Sequence, residues 1–269
     1  MPTFKVTIAY DGSRFVGWQR QAAGTSVQGL LEDVLRDLDK DDVSVAGAGR
    51  TDAGVHALGQ VASFTLRRVI TPGVLKRALN SRLPDDVRIV SAEDVPASFH
   101  ARFVASRKTY RYRIWNADLL NPFEREYAWY VRGALVVDAM QAAAQMLTGR
   151  HDFAAFQAAA GTQRSTEREV FSSRVFAHDD SRSAGLRPSP ACLITYEITG
   201  NGFLRHMVRV IAGSLVDVGH GRRSPEWLSA VVASRDRTQA GPTAPAHGLF
   251  LVRVDYQNDQ AASNDPGAA

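Results

Sequence analysis

The sequence predicts an α+β protein made of two lobes, each combining strands with helices. Apolar residues alternate as in strands in some segments and recur at helical spacing in others, and the two patterns take turns along the 269 residues. Hydrophobic residues make up 45% of the chain and charged residues 22%, an ordinary globular composition that excludes a disordered protein. Because the order of elements repeats loosely in the second half, we expect lobes over residues 1–105 and 106–257, and a disordered tail over 258–269.

The first lobe is predicted to follow the order β-α-β-β-α-β, a split βαβ arrangement. Its first strand alternates apolar and polar residues up to Tyr10, and its first helix begins after Ser26, a residue type typical of N-caps. Thr71-Pro72 starts the second helix, since proline is favoured at the first helical position. The predicted elements are a strand over 4–10, a helix over 27–38, a strand from 43, a strand over 61–66, a helix over 72–79 and a strand over 87–90.

The second lobe is predicted to contain further strands and helices in a similar rhythm. Asp138 is expected to cap a helix that ends before Gly149, and Gly200-Asn201-Gly202 is expected to turn into a long apolar helix. The segment HDDSRSAGLRPSP at 178–190 has the composition of an exposed hairpin or loop. The predicted elements are strands over 108–115, 168–177, 191–199 and 249–254, and helices over 138–147, over 203–218 and from Ser224-Pro225 onward.

Several classes of protein are excluded by what the chain lacks. The single cysteine, Cys192, allows neither an intrachain disulfide nor a cysteine-based zinc site, which fits a reducing compartment. The start, MPTFKVTIAYDGSRF, has no apolar core of a signal peptide. The most apolar run, 207–218, is interrupted by Arg209 and Asp217 and is too short to span a bilayer. We therefore predict a soluble cytoplasmic protein with no membrane association.

The basic residues point towards a nucleic acid, although the net charge is only +4. Only four of the 32 basic residues are lysine, and arginine suits phosphate contacts and stacking on bases; a GC-rich genome that favours arginine codons is the alternative explanation. Position is more informative than the total. Residues 95–117 interleave five basic residues with five aromatic ones and contain no acid, a pattern typical of proteins that bind single-stranded or looped nucleic acid.

The segment GAGRTDAGVHALGQ at 47–60 is the strongest candidate for chemistry. It fits neither a dinucleotide fingerprint, since Asp52 occupies the position of the third glycine, nor a phosphate-binding P-loop. Asp52 and His56 are two possible metal ligands, but no further cluster supports a metal site. The four glycines indicate a tight loop with close backbone approach. From the residues alone, Asp52 is a turn aspartate or a catalytic acid, and Arg50 a surface charge or a functional one.

This segment closely resembles the motif around the catalytic aspartate of pseudouridine synthases, and specifically that of the tRNA pseudouridine synthase A family. Three other segments resemble the same family in the same order: YDGSRFVGWQRQ at 10–21, FHARFVASRKTYRYRIWN at 99–116 and GNGFLRHMVRVIAGSLVDVGHG at 200–221. The resemblance covers nearly the whole chain. It implies the pseudouridine synthase fold, in which two split-βαβ lobes, similar to RNA-recognition domains, form a mixed, largely antiparallel sheet with flanking helices around a central cleft.

The resemblance also implies a reaction. A uridine at position 38, 39 or 40 of the tRNA anticodon stem-loop is isomerised to pseudouridine: the N1–C1′ bond breaks, the uracil turns, and C5 bonds to C1′. No group is imported and nothing is oxidised, so the family needs no cofactor and no metal. The implied partners are tRNA and a second copy of the chain, because members of the family are homodimers whose subunits jointly hold one tRNA.

Site residues follow from the resemblance, residue by residue. Asp52 matches the catalytic aspartate, which acts either as a nucleophile or as a base that takes a proton from the sugar. Arg209 matches its basic partner, with a core-helix residue extending its charge to solvent as the alternative. Tyr110 matches the tyrosine that stacks on the target base, although Tyr112 is expected on the same strand face and a half-buried structural role is the alternative. Arg50 matches the residue that fills the space vacated by the base.

Further matches concern RNA contacts. Arg102 and the surrounding Phe99–Phe103 segment, including His100, match RNA-contacting positions, with His100 as readily structural as functional. Arg164 and Arg168 align only roughly with such a stretch, and Arg205 and His206 depart from the family pattern and receive no role. Two other functions are considered: a non-catalytic RNA-binding module, which has no need of an acid facing phosphate, and a pseudouridine synthase for another RNA, which the match in four segments disfavours.

Overall fold

The computed structural model describes residues 1–158, 165–179 and 192–257, and it confirms the α+β class. In these residues the strands are β1 (Thr3–Tyr10), β2 (Ala46–Gly47), β3 (His56–Thr65), β4 (Val87–Val95), β5 (Ala105–Asn116), β6 (Trp129–Val131), β7 (Gly149–Asp152), β8 (Glu167–Asp179), β9 (Cys192–Gly200) and β10 (Leu249–Tyr256). The helices are α1 (Val27–Asp39), α2 (Pro72–Asn80), α3 (Val137–Gln145), α4 (Met207–Gly219) and α5 (Trp227–Ser234). None of the helices described here is long and apolar enough to cross a membrane.

The chain divides into two compact units. The first contains Met1–Lys108 together with the segment from Leu251 onward, and the second contains Thr109–Phe250. Our sequence-based division at residue 105 assigned the last strand to the second lobe, whereas most of β10 belongs to the first unit. The reason is that β10 pairs with β3. A Cβ on Gly59 would lie 2.5 Å from the carbonyl oxygen of Val252, so glycine permits this close approach.

The first unit has the predicted order β-α-β-β-α-β. Strand β1 lies between β3 and β4 and is antiparallel to both, and the short β2 is antiparallel to β3. The predicted N-cap of α1 is confirmed, because the hydroxyl of Ser26 accepts a hydrogen bond from the backbone N–H of Gly29 at 3.1 Å. Helix α1 buries one apolar stripe, which includes Leu31 and Leu35, as the helical spacing predicts. Proline starts α2, also as predicted.

Two strands of the first unit differ from the prediction. Val43 and Val45 are buried, but only Ala46–Gly47 pairs as a strand. Side chains of α1 take the place of the missing strand partners: Gln28 Nε2 donates to the carbonyl of Val45 at 3.0 Å, and Glu32 accepts from its N–H at 3.4 Å. Strand β3 starts at His56 rather than at residue 61, so it begins directly after the tight loop that contains Asp52.

The second unit contains an antiparallel set in which β8 pairs with β7 on one side and β9 on the other. The short β6 runs parallel to β5. Helix α4 is the most buried helix of this unit, with eleven buried residues among its thirteen. A Cβ on Gly213 would overlap the carbonyl of Pro242, so the segment after α5 packs directly on the α4 backbone.

The helix starts of the second unit are where the predictions were wrong. Asp138 lies in the first turn of α3 but is not its N-cap, which is Val136 without a side-chain cap. Helix α4 starts at Met207 rather than at Phe203, since His206 has a left-handed φ of 63° that separates the preceding turn from the helix. Most of the predicted loop at 178–190, and the predicted tail over 258–269, lie outside the described residues.

Candidate active site

Asp52 lies half-buried in the loop between β2 and β3, residues 48–55, which we call the Asp52 loop. This loop rests on residues 10–21, which we call the opening segment. The carbonyl of Thr51 accepts a hydrogen bond from Trp18 N–H at 3.1 Å, and Gly54 N–H donates to the carbonyl of Phe15 at 3.3 Å. Within the loop, the carbonyl of Asp52 accepts from Val55 N–H at 3.2 Å. The backbone on both sides of Asp52 is therefore fixed.

Two glycines of the opening segment make this contact possible. Gly17 has a φ of +107°, and a Cβ at this position would lie 2.5 Å from the carbonyl oxygen of Thr51. A Cβ on Gly12 would overlap the carbonyl of Val55. Any side chain at either position would push the opening segment away from the Asp52 loop. The contact between the opening segment and the Asp52 loop therefore depends on these two glycines.

Three polar side chains from outside the Asp52 loop form hydrogen bonds with it. Tyr10 and Thr51 are both buried, and their hydroxyls form a hydrogen bond of 2.8 Å. Gln60 Nε2 donates to the carbonyl of Gly49 at 2.8 Å, and Lys108 Nζ donates to the carbonyl of Ala48 at 2.7 Å. Burial raises the pKa of Tyr10 to about 12, opposed by its hydrogen bonds to Thr51 and Gln60. The Tyr10 hydroxyl therefore keeps its proton at neutral pH and serves as a hydrogen-bonding group.

His56 supports the same region through its ring nitrogen. It is buried, its Nδ1 accepts a hydrogen bond from Gly12 N–H at 3.0 Å, and the same nitrogen lies 3.1 Å from a carboxylate oxygen of Asp11. In the described part of the chain, no group of three or more His, Cys, Asp or Glu side chains is placed to hold a metal ion. His56 therefore links the end of the Asp52 loop to the opening segment.

Arg50 occupies the exposed side of the Asp52 loop. Arg50 lies two positions before Asp52 in the same loop. Among the described residues, its guanidinium has no hydrogen-bond or ion-pair partner. The structure therefore presents one cation and one half-buried carboxylate within three consecutive residues.

Residues 99–104, which we call the 99–104 segment, are anchored at one position. Ala101 is fully buried, its N–H donates to Ser63 Oγ at 3.0 Å, and its carbonyl accepts from the Tyr256 hydroxyl at 2.9 Å. The ring of Phe99 lies 5.2 Å from that of Tyr256. Phe99 therefore belongs to the anchor of the segment on the first unit.

The outer side of the 99–104 segment combines aromatic rings with a cation. Phe103 is 76% exposed, and the ring of His100 stacks on it at a centroid distance of 4.2 Å. The guanidinium of the exposed Arg102 lies 5.9 Å from the Phe103 ring, and the backbone N–H of Arg102 donates to His100 Nδ1 at 3.2 Å. His100 thus both shapes the turn and contributes a ring to the surface. Exposed aromatic rings next to arginine suit stacking on bases and contacts with phosphates.

In the second unit, Tyr110 and Tyr112 have different environments on β5. Tyr112 is fully buried, its hydroxyl donates to the carbonyl of Pro245 at 2.8 Å, and burial raises its pKa against the opposing charge of Arg209. Tyr110 is 7% exposed, and its ring packs edge-on against Phe203 at 5.1 Å. Tyr112 is therefore a core residue, and Tyr110 is the better candidate for contact with a base.

Arg209 lies in the first turn of α4 and is half-buried. Its Nε donates to the carbonyl of Ala244 at 2.7 Å, while its own carbonyl accepts from Ala244 N–H at 3.1 Å. This reciprocal pair fixes the direction of the guanidinium, which differs from the freely extended side chain considered as the alternative. The preceding Arg205 is exposed.

Arg168 differs from Arg209 in that its guanidinium contacts the backbone of residues directly beside it in the chain. Its Nη1 donates to the carbonyl of Ser165 at 3.0 Å and to that of Glu167 at 2.5 Å, and burial lowers its pKa. Arg164 lies outside the described residues. These backbone contacts give Arg168 a structural function at the start of β8.

The structure thus groups the predicted residues within each unit. Asp52 and Arg50 share one loop of the first unit, the four residues Phe99, His100, Arg102 and Phe103 share one segment of the same unit, and Tyr110 and Arg209 belong to the second unit. Sequence reasoning missed the supporting residues Tyr10, Thr51 and Gln60. The available signal was the resemblance to the family of the two segments that contain them, 10–21 for Tyr10 and 47–60 for Thr51 and Gln60.

Comparison with known proteins identifies the family. The family model described as tRNA pseudouridine synthase matches residues 6–104 and 143–257, ranges that include the Asp52 loop, the 99–104 segment and Arg209. The chain belongs to the tRNA pseudouridine synthase family. It is therefore an isomerase, and the family predicted from the sequence motifs is confirmed.

Individual relatives agree with the family model over nearly the full chain. This chain is 43% identical over 256 residues to the tRNA pseudouridine synthase A of Ruminiclostridium cellulolyticum, covering 95% of this chain and 100% of the relative. It is 44% identical over 258 residues to that of Moorella thermoacetica, again covering 95% and 100%. It is 43% identical over 267 residues to that of Myxococcus xanthus, covering 99% of this chain and 97% of the relative.

Proposed function

We propose that this tRNA pseudouridine synthase isomerises uridines 38, 39 and 40 of the tRNA anticodon stem-loop, with Asp52 as the essential catalytic group. The observation that carries the proposal is the Asp52 loop itself. A carboxylate lies half-exposed at the tip of a loop whose backbone is hydrogen-bonded to the opening segment before and after it. A solvent-accessible carboxylate on a firmly bonded backbone is what general-base or nucleophilic catalysis requires.

The reaction rearranges bonds within one nucleotide. The N1–C1′ bond breaks, the uracil turns, C5 bonds to C1′, the C5 proton leaves and N1 gains a proton, so atoms and electrons balance without an added group. Asp52 starts this sequence either by attack as a nucleophile or by removal of a sugar proton, and both roles need the ionised carboxylate. We propose Arg209 as the basic partner of Asp52, the role that the resemblance to the family gives it.

The remaining predicted residues bind the substrate. The ring of Tyr110 stacks on the target base, and Arg50 fills the space that the base leaves when it turns out of the helical stack. The 99–104 segment binds tRNA from its outer side: Arg102 contacts a phosphate, Phe103 and His100 offer stacked rings, and Phe99 anchors them. The exposure of Phe103 and Arg102 supports this assignment.

We further propose that the enzyme works without a metal or organic cofactor, since the reaction imports no group and transfers no electron. The resemblance to the family supports two more proposals. The enzyme acts as a homodimer that holds one tRNA between its subunits, and it works in the cytoplasm, where its substrate is found.

The test is to incubate the full chain with an unmodified tRNA transcript and to map pseudouridine nucleotide by nucleotide. We expect pseudouridine at positions 38, 39 and 40 and nowhere else. The tRNA is folded beforehand with magnesium, and a parallel reaction contains EDTA, which is expected to leave the activity intact. Pseudouridine only at other positions, or only in ribosomal RNA, would contradict the proposed substrate. Binding without any product would indicate a non-catalytic RNA-binding protein.

A further inference from the structure

The buried hydrogen bond between Tyr10 and Thr51 involves the residue next to the candidate catalytic group. Tyr10 is the last residue of β1 and is 4% exposed, while Thr51 immediately precedes Asp52 and is 7% exposed. Their hydroxyls are 2.8 Å apart. The ladder between β1 and β3 does not depend on this contact, because it is made by backbone groups. The pair therefore adds something that the fold of the sheet does not require.

Thr51 is held at two separate points. Its side-chain Oγ1 pairs with the Tyr10 hydroxyl, and its carbonyl accepts from Trp18 N–H at 3.1 Å. The two contacts fix both the side chain and the peptide plane that joins Thr51 to Asp52. If the side-chain contact is lost, Thr51 can turn about the remaining bond, and the direction of the Asp52 carboxylate changes with it.

We infer that the Tyr10 hydroxyl is a positioning group for the Asp52 carboxylate and acts through Thr51 Oγ1. This inference rests on the proposed catalytic role of Asp52. Tyr10 does not need to touch the substrate for this function. A displacement of about 1 Å at a reacting group can cost on the order of a hundredfold in rate, so the loss of one supporting hydrogen bond is expected to be visible in the chemical step.

A second buried hydroxyl pair in the chain provides a matched control. Tyr196 and Ser173 are 0% and 2% exposed, and their hydroxyls are 3.2 Å apart. They lie on β9 and β8, whose backbones are already paired along most of their length. Removal of the Tyr196 hydroxyl therefore deletes the same type of contact from the second unit, which does not contain the Asp52 loop. It is expected to affect stability without affecting the rate.

The experiment measures single-turnover rates at saturating tRNA, KM and thermal stability for the full-length enzyme and its variants. Tyr10→Phe and Thr51→Val are expected to lower the rate about tenfold to a hundredfold, with KM changed less than twofold. Thr51→Ser keeps the hydroxyl and is expected to stay within about threefold of the wild-type rate.

Tyr196→Phe is expected to lower Tm about as much as Tyr10→Phe while changing the rate less than twofold. The double variant Tyr10→Phe/Thr51→Val is expected to be no slower than Tyr10→Phe alone, because Tyr10→Phe already removes the contact with Thr51 along with the one with Gln60.

A normal single-turnover rate in Tyr10→Phe would overturn the inference, as would equal rates in Thr51→Val and Thr51→Ser. If Tyr10→Phe does not fold, the comparison of the two Thr51 variants decides alone. Asp52→Asn is measured alongside. Turnover by Asp52→Asn would overturn both the proposed function of Asp52 and the inference, whereas an inactive Asp52→Asn with a normal Tyr10→Phe would overturn the inference only.

Discussion

The Asp52 loop and the 99–104 segment carry the predicted site residues of the first unit, but they are built in opposite ways. The Asp52 loop is bonded through the carbonyls of Ala48, Gly49 and Thr51, and it lies against two glycines of the opening segment. The 99–104 segment is fixed at the buried Ala101, and it places Phe103 and Arg102 in solvent. The Asp52 loop is bonded at several positions along its length, whereas the 99–104 segment displays long side chains beside its anchor at Ala101.

The difference reflects the two tasks. A carboxylate that attacks or takes a proton must be aimed within a fraction of an ångström, and this requires a supported backbone. Contacts with phosphates and stacked bases tolerate adjustment, because arginine is long and every base offers a flat face. Changes in the support of the Asp52 loop are therefore expected to alter the rate of reaction, and changes in the 99–104 segment to alter affinity.

The largest effect among these tests is expected at Arg209, which extends the comparison to the second unit. Its guanidinium is fixed by the Ala244 carbonyl, so it is expected to act on rate in the same way as the Asp52 loop. Arg209→Met keeps most of the side-chain volume but removes the positive charge of the proposed partner of Asp52. We expect the single-turnover rate to fall about a hundredfold, with tRNA affinity changed only a few fold. Arg205→Met, a change at an exposed arginine that precedes α4, is the control and should keep the wild-type rate.

A smaller effect is expected when the opening segment is pushed away from the Asp52 loop. Gly17→Ala introduces a Cβ against the Thr51 carbonyl at a φ of +107°, so it should lower the unfolding free energy by about 2–3 kcal/mol and the rate about tenfold. Gly221 also has a positive φ, of +71°, but a Cβ there would meet nothing within 4 Å. Gly221→Ala is therefore expected to cost about 1 kcal/mol and to leave the rate unchanged. Denaturant unfolding and single-turnover kinetics of both variants give the comparison, and equal rates in the two would contradict the proposed function of the contact.

The smallest effect on rate, and the clearest effect on affinity, is expected in the 99–104 segment. Arg102→Ala should weaken tRNA binding severalfold and reduce the slope of log affinity against log salt by about 1, while the rate at saturating tRNA stays normal. Arg67→Ala removes an arginine that is also exposed but is paired with Asp41, and it should leave the slope nearly unchanged. Binding curves at several salt concentrations decide between them. An unchanged slope in Arg102→Ala would remove Arg102 from the binding surface.

Local signals in the sequence predicted the first unit well and failed where distant contacts decide the structure. The N-cap Ser26 and the Thr71-Pro72 helix start are local features, and both are confirmed. The strand expected from Val43 is reduced to Ala46–Gly47, because Gln28 and Glu32 of α1 take the backbone bonds of Val45, which no local pattern indicates.

The same limit applies to the site. Asp52 stands out through the motif around it, whereas Tyr10 looks like an ordinary strand residue. Its contact with Thr51 joins positions 41 residues apart and exists only in the folded chain. The start of α4 was missed for a related reason, since the left-handed His206 is a bulky residue in a conformation usually taken by glycine.

The most direct test of the central claim, that the Asp52 loop supplies the chemistry, is the single-turnover rate of Asp52→Asn at saturating tRNA, measured together with its tRNA affinity. Asparagine has nearly the same shape, so the fold and the hydrogen bond from Val55 N–H to the backbone carbonyl of residue 52 should persist. We predict tRNA affinity within about threefold of the wild type and no pseudouridine above background, because the amide supplies neither the nucleophile nor the base. Appreciable turnover by this purified variant would show that the carboxylate of Asp52 is not the catalytic group.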